Sequence, residues 1–492
     1  MVQLLPKKIV RYIYMKILEN IEPSRVFYFF EEISNIPRGS GNEEAVAKYI
    51  ERFAKERELY VLRDKNNNVF IKKEASEGCE DFPAVLLQGH TDMVCEKNSD
   101  TVHDFLRDPI KLILEGDRIS ADGTTLGADD GIAVAMMLAV LEDGTLAHGP
   151  IECLFTTEEE TGLGGIKSFD KSLIGAKYMI NLDSEEDDAA VVSCAGGVRT
   201  DFEFNDIPLE RCNSEVTLSV SGLMGGHSGA DIHLGRANAN KVAFELLGGI
   251  ENVRLISVDG GSKDNAIPRE CKIVFTCDDP AEACETVGER ASDISSRLTD
   301  DDKGFLCTRT FRRGEFHCFG QKYSRNIITL VNSLPFGVID MSADLEGLVE
   351  TSSNPGVIKT DKACVKIVVS SRSSVEKSLD GVIDNMDSLA GFTKVSHVSH
   401  RDRYPGWEFT KNSNLQKIYA DTYCELFGAE PKIYAIHAGL ECGILKSAVP
   451  SLDIISTGPN AYNIHTPDES LSVSSVQKVY KLLVKLLREL KD

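Results

Sequence analysis

At 492 residues the chain exceeds the usual allowance of roughly 100–200 per domain, so it should hold two to four domains, most simply two large ones. Its 42% hydrophobic and 27% charged residues are those of a globular protein and exclude wholesale disorder. Lys plus Arg number 54 against 77 Asp plus Glu, a net charge of −23. That balance argues against nucleic acid, which needs a basic footprint, and against an anionic membrane surface.

The N-terminal stretch is interrupted by Lys7, Lys8, Arg11 and Lys16 and shows no signal-peptide pattern. Met15 is an alternative start, which would leave residues 1–14 outside the mature chain. No apolar run reaches the roughly 18 residues of a membrane span. The 13 cysteines, scattered from Cys79 to Cys442 without a CxxC pair, read as reduced thiols of a cytoplasmic protein.

Up to about residue 198, helical and extended patterns alternate. Residues 42–58 predict a helix with Val46, Tyr49, Ile50 and Phe53 on one side. Three apolar runs, 84–92, 151–160 and 177–186, predict buried strands that end in His, Asp or Glu. Between the first two, residues 131–144 predict an apolar helix closed by Gly144. This alternation predicts an α/β fold, a parallel-rich sheet between helices, with ligands gathering beyond the strands' carboxyl ends.

From about 199 the pattern becomes α+β: alternating strands at 214–222, 271–277 and 364–371, and a helix at 236–250. The earlier style resumes near 410, with helices at 412–428 and 475–490 around a buried strand at 451–458.

Several polar groups stand at the predicted strand ends. In QGHTD, period-2 geometry turns His90 and Asp92 the same way, so the carboxylate could fix the tautomer of a metal-binding imidazole. Asp129 and Asp130 precede a helix, where they could cap it or hold a cation. Glu158 to Glu160, Asp183 and a late His465 complete the set. Taken singly, each has an ordinary explanation: a surface pair, a cap, a solvated turn. Their coincidence at the ends of apolar strands favours a shared site, because crowded carboxylates repel unless cations neutralise them. Two divalent ions facing Asp129, Glu159, Glu160 and Asp183 would set roughly +4 against −4. Imidazole with carboxylate suits zinc, cobalt or manganese.

The motifs GHTD, GADDG, TTEEETG, NLDSEE, GGHSG and IHTP resemble those of the di-zinc aminoacylase/carboxypeptidase/dipeptidase family of metallopeptidases. SCAGG, GLMGGHSGADIHLGRANANK, DNAIPRE, YPGW and HAGLECG resemble its aminoacyl-histidine dipeptidase branch. The resemblance runs from about residue 20 to the end. It implies two Zn2+ per chain, with Co2+ or Mn2+ as substitutes. His90 and Asp183 would hold one ion, Glu160 and His465 the other, and Asp129 would bridge both through a cis link to Asp130. Asp92 would orient His90, and Glu159 would be the general base for a metal-bridging water. Alternation along an extended strand would put Glu158 and Glu160 on one face and Glu159 on the other, but does not choose between the glutamates; the family pattern gives the base to the middle one. His227 would donate to the oxyanion, and Asn265 and Arg372 would clamp substrate.

His437 and Glu441, four apart in HAGLECG, could pair with a substrate imidazole; the alternative is a structural turn and helix start. The chain should therefore comprise a catalytic domain of 1–198 with 410–492 and an inserted lid of 199–409, since the last ligand lies far beyond the others. The expected activity is cytoplasmic hydrolysis of Xaa-His and related dipeptides, with small peptides as partners, no nucleic acid and no membrane. The resemblance also implies a homodimer through the lid. An N-acyl amino acid deacylase or a tripeptidase on the same scaffold is the competing enzyme reading, and a non-catalytic metal-stabilised binding protein the remoter one.

Overall fold

In a computed structural model, residues 16–345 and 347–491 are described, so the question of Met15 lies outside them. The chain divides into two compact units. The first comprises the residues up to Val191, Ser413–Ile433, and Ala448 onward; the second comprises Val192–Asn412 and Tyr434–Ser447. Residues 434–447, assigned from sequence to the catalytic domain, are grouped with the inserted unit.

The first unit is built on a parallel-rich sheet. Its central strand, Val85–His90, lies parallel to both Ile151–Thr156 and Tyr178–Asn181. Asp453–Ser456 runs parallel to the last of these. All four therefore deliver their carboxyl ends to one edge of the sheet. Every residue of the first three is buried, which is why they read as continuous apolar runs rather than as alternating ones. Helix Ala128–Glu142 is buried almost throughout and packs on both Val85–His90 and helix Ser24–Ser34.

A four-stranded antiparallel sheet completes the edge. Ala461–Tyr462 pairs with Ser470–Ser472, forming a hairpin whose loop holds His465. Ser470–Ser472 pairs in turn with Arg118–Ala121, the strand that precedes the Asp129 loop.

The second unit is α+β, as expected. Its nine-stranded sheet is antiparallel throughout and includes Leu209–Ser221, Cys271–Thr276 and Cys364–Ser373. Helices Ala239–Glu245, Pro280–Arg297, Gln321–Ser333 and Glu376–Thr393 share its apolar core, with Phe202, Phe244, Phe275 and Ile367 among the buried residues. The helix expected over 236–250 is shorter because Asn238 caps it, accepting from the Lys241 N–H at 3.1 Å. All 13 cysteines are free thiols. Among the described residues no helix is long and apolar enough to cross a membrane.

Candidate metal centre

The edge where the parallel strands finish gathers the polar residues singled out in the first unit. His90 closes its strand and is 1% exposed. Its Nδ1 lies 3.4 Å from Asp92 Oδ1 and 3.2 Å from the Asp92 carbonyl, so the two residues do face the same way. Its Nε2 lies 3.0 Å from Asp129 Oδ1 and 3.4 Å from Asp183 Oδ1. The other oxygen of Asp129 lies 3.0 Å from His465 Nε2, which also meets Glu160 Oε1 at 2.8 Å. One carboxylate thus stands between two imidazoles, one oxygen turned to each. The Asp129–Asp130 peptide is cis.

The glutamates depart from the extended geometry considered from sequence. The strand stops at Thr156 and Glu158 takes φ +52°, so side chains 158–160 do not alternate as on a strand. Two carboxylates hold the turn: Glu43 accepts the N–H of Glu158 at 3.2 Å, and Asp92 accepts the N–H of Glu159 at 3.1 Å and of Glu160 at 3.3 Å. Asp92 also accepts from Ser40 Oγ at 2.8 Å. Both Glu159 and Glu160 consequently reach the group around His90, with ligand atoms within 4.8 Å of one another.

The electrostatics are those of carboxylates crowded in a poorly solvated place. Burial, reinforced by the neighbouring Asp129 and Glu160, pushes Asp183 up to about 6. Asp130 is driven well above the usual carboxylate range by burial and by Asp183, and accepts the His90 N–H at 3.1 Å. Glu185, exposed at the rim of the group, rises to about 7 because the surrounding protein partly desolvates it and Asp129 and Asp183 stand near. His465, hydrogen-bonded to Asp129 and Glu160, is held up at about 10. Burial opposes a charge on His90, yet Asp183, Asp129 and Asp92 keep it well above its ordinary value. Carboxylates crowded in this way are stabilised by nearby positive charge, which divalent cations could supply. Three overlapping sets, His90 with Glu159 and Glu160, His90 with Asp130 and Asp183, and Asp129 with Glu160 and His465, have the nitrogen and oxygen donors that suit zinc, cobalt or manganese.

In the second unit, His227 is half-buried on a two-residue ladder with Ala266–Ile267. Its Nδ1 accepts the N–H of Gly229 at 3.2 Å and of Ala230 at 3.0 Å. Burial and then Arg372 lower its pKa. The neutral ring therefore carries its proton on Nε2 and is a donor there. Asn265 is exposed beside this ladder, its carbonyl accepting the Ser228 N–H at 2.9 Å.

Arg372 is buried, donates from Nη1 to Tyr404 Oη at 2.9 Å, and leaves Nε without a hydrogen-bond partner. His437 is buried with Nε2 2.7 Å from Ser352 Oγ. A Cβ at Gly229 would run into the His437 carbonyl, the His227 ring and Arg372, so the three form one cluster that only glycine at this position allows. Glu441 is 1% exposed and opens helix Glu441–Ala448, which places it in the first turn, as in the scaffold alternative.

Two buried residues escaped sequence reasoning. Glu469 lies four residues after His465, just beyond the IHTP motif, and Arg38 has no motif around it. Only the folded backbone reveals what they hold.

Comparison with known proteins accords with this geometry. Residues 86–489 match peptidase family M20/M25/M40. The chain is 38% identical over 486 residues to the cytosol non-specific dipeptidase of Escherichia coli (strain K12), covering 97% of this chain and 99% of that protein. The crystal structure of aminoacylhistidine dipeptidase from Vibrio alginolyticus matches with a TM-score of 0.88 at 36% identity, over 96% of this chain and 98% of that one. Aminopeptidase PepT from Bacillus cereus, at 16% identity, a TM-score of 0.56 and coverage of 96% and 99%, shares the fold. With a match that runs through both units and relatives aligned over nearly their whole length, the chain belongs to peptidase family M20/M25/M40 and is a hydrolase.

Proposed function

We propose that this protein is a cytoplasmic di-zinc dipeptidase that hydrolyses Xaa-His and related dipeptides. The observation that carries the reading is the Asp129 carboxylate, 3.0 Å from both His90 Nε2 and His465 Nε2, with Asp183 and Glu160 completing the two ends. His90 and Asp183 would hold one ion, Glu160 and His465 the other, and Asp129 both. Bound there, the two cations would lower the pKa of a water from about 15.7 towards about 7 and polarise the scissile carbonyl.

The chain's own residues would do the rest. Asp92 keeps the His90 ring oriented and fixes the backbone of Glu159 and Glu160. Glu159 takes a proton from the attacking water and passes it to the leaving amine. His227, protonated on Nε2, donates to the oxygen on which charge develops. Arg372, with a free Nε donor, would pair with the terminal carboxylate of the dipeptide, and Asn265 would contact its backbone. His437 and the Glu441 carboxylate are assigned to the recognition of a C-terminal histidine. The name of the Vibrio relative supports that preference, while the name of the Escherichia coli relative points to broader use.

The deciding experiment is a release assay on Xaa-His, Xaa-Leu and Xaa-Ala dipeptides, N-acetyl amino acids and tripeptides, before and after dialysis against a strong chelator and on re-addition of zinc or cobalt. Metal-dependent release from dipeptides, highest for Xaa-His, supports the proposal. Turnover unchanged by chelation, or release confined to N-acetyl amino acids or tripeptides, overturns it.

A further inference from the structure

Four consecutive backbone N–H groups in the loop that carries Asp129 converge on a single side chain. Glu469, 2% exposed, accepts through Oε2 from Leu126 at 2.7 Å and Gly127 at 2.9 Å. Through Oε1 it accepts from Ala128 at 2.8 Å and, more weakly, from Asp129 at 3.4 Å. Successive N–H groups turned towards one point form a concavity of fixed positive potential, and the carboxylate fills it.

Arg38 grips the same loop from the other side. It is 2% exposed and donates from Nη2 to the Gly127 carbonyl. Its Nη1 donates to the carbonyls of Thr91 at 3.0 Å and Asp92 at 3.1 Å, immediately after His90. Gly127 is thus held by its N–H and by its carbonyl between opposite charges. It takes φ +70°, and a Cβ there would lie 2.6 Å from Arg38 Nη2 and 2.7 Å from Met93 Sδ. No side chain fits.

Glu469 also belongs to the His465 hairpin. Its own N–H donates to the Thr466 carbonyl at 3.1 Å, and strand Ser470–Ser472 follows directly. One residue therefore fastens the loop of His465 to the loop of Asp129, whose side chains meet at 3.0 Å.

We propose that Glu469, backed by Arg38, is a positioning residue that sets the spacing of Asp129 and His465 and so tunes cation affinity at the His465 end; the inference rests on the two-metal reading above. Neither side chain is assigned to substrate. Replacing the carboxylate by an amide leaves one acceptor oxygen and turns an NH2 towards two backbone N–H groups, so the loop must shift. Partners that orient metal ligands typically change affinity by about 10–100-fold when replaced.

The test is a titration of chelator-stripped protein with Co2+, followed by visible absorption and calorimetry, on the parent, Glu469→Gln and Glu469→Asp. The parent should take up two ions. Glu469→Gln should bind one ion with near-parental affinity and the other about 10–100-fold more weakly, with circular dichroism unchanged; Glu469→Asp should fall between. If Glu469→Gln fails to fold, Glu469→Asp decides alone. Parental affinity at both positions in the folded variants overturns the positioning role and leaves the two-metal reading intact. A parent that binds no Co2+ overturns the two-metal reading itself, and the inference with it.

Discussion

Asp92 accepts the backbone N–H of Glu159 at 3.1 Å while the same oxygen faces His90 Nδ1 at 3.4 Å. A single buried carboxylate thereby aligns a ring at a strand's end with the turn that carries both glutamates. Asp92→Ala should loosen both, and metal affinity should fall by about 10–100-fold. Cobalt titration of the stripped variant checks this; unchanged affinity would reduce Asp92 to a packing residue.

The two glutamates should separate by what they lose. Glu159→Ala removes proton transfer and spares coordination, so kcat should drop by about 10²–10⁴-fold with metal content intact. Glu160, 2.8 Å from His465, should lose metal when changed to Ala. Elemental analysis beside kinetics reads both, and the reverse pattern would exchange their roles.

His227→Ala should lower kcat by about 10²–10³-fold with little change in KM, because the oxyanion exists only in the transition state. His227→Gln retains an N–H donor on a longer, untethered side chain and should recover part of the loss. Near-normal kcat in the alanine variant would remove His227 from the chemistry.

His437 makes a prediction about acid stability. Burial and then the nearby Arg372 lower its pKa from 6.5 to about 3, with His227 adding to the effect. Unfolded, the imidazole takes up a proton below about 6.5. Folded, it stays neutral down to about 3. Lowering the pH through that window therefore favours the unfolded chain, by up to about 1.4 kcal/mol per pH unit from this one group. His437→Gln, measured against the parent by urea denaturation in the presence of chelator, should flatten the acid slope by up to one proton's worth. Parallel slopes would show that His437 is protonated in the folded state.

Much of the centre was legible because strands and their ends have simple rules. Fully buried parallel strands are apolar runs, and polar residues immediately after such runs meet at one edge; His90, Asp92, the run of glutamates 158–160 and Asp183 were singled out this way, whereas the choice of Glu160 among the glutamates came from the family resemblance. Asp129 and His465 joined them through the DDG and IHTP motifs. The α+β texture of the insert followed from alternating strands. Residues 434–447, by contrast, share the style of their neighbours, and only contacts formed in three dimensions group them with the second unit.

The rest was decided by backbone groups rather than by side-chain pattern. The composition of TTEEETG does not foretell that Glu158 takes a left-handed φ, because the N–H groups of this turn are held by carboxylates far away in the chain, that of Glu158 by Glu43 and those of Glu159 and Glu160 by Asp92. The Nε2–H tautomer of His227 is set by two N–H groups of its own turn. Glu469 and Arg38 act on peptide groups, which every residue possesses and no sequence distinguishes. What the sequence by itself determined is which polar side chains stand at the ends of the apolar strands. Their spacing was decided by tertiary structure, because hydrogen bonds to the main chain depend on where distant loops come to rest.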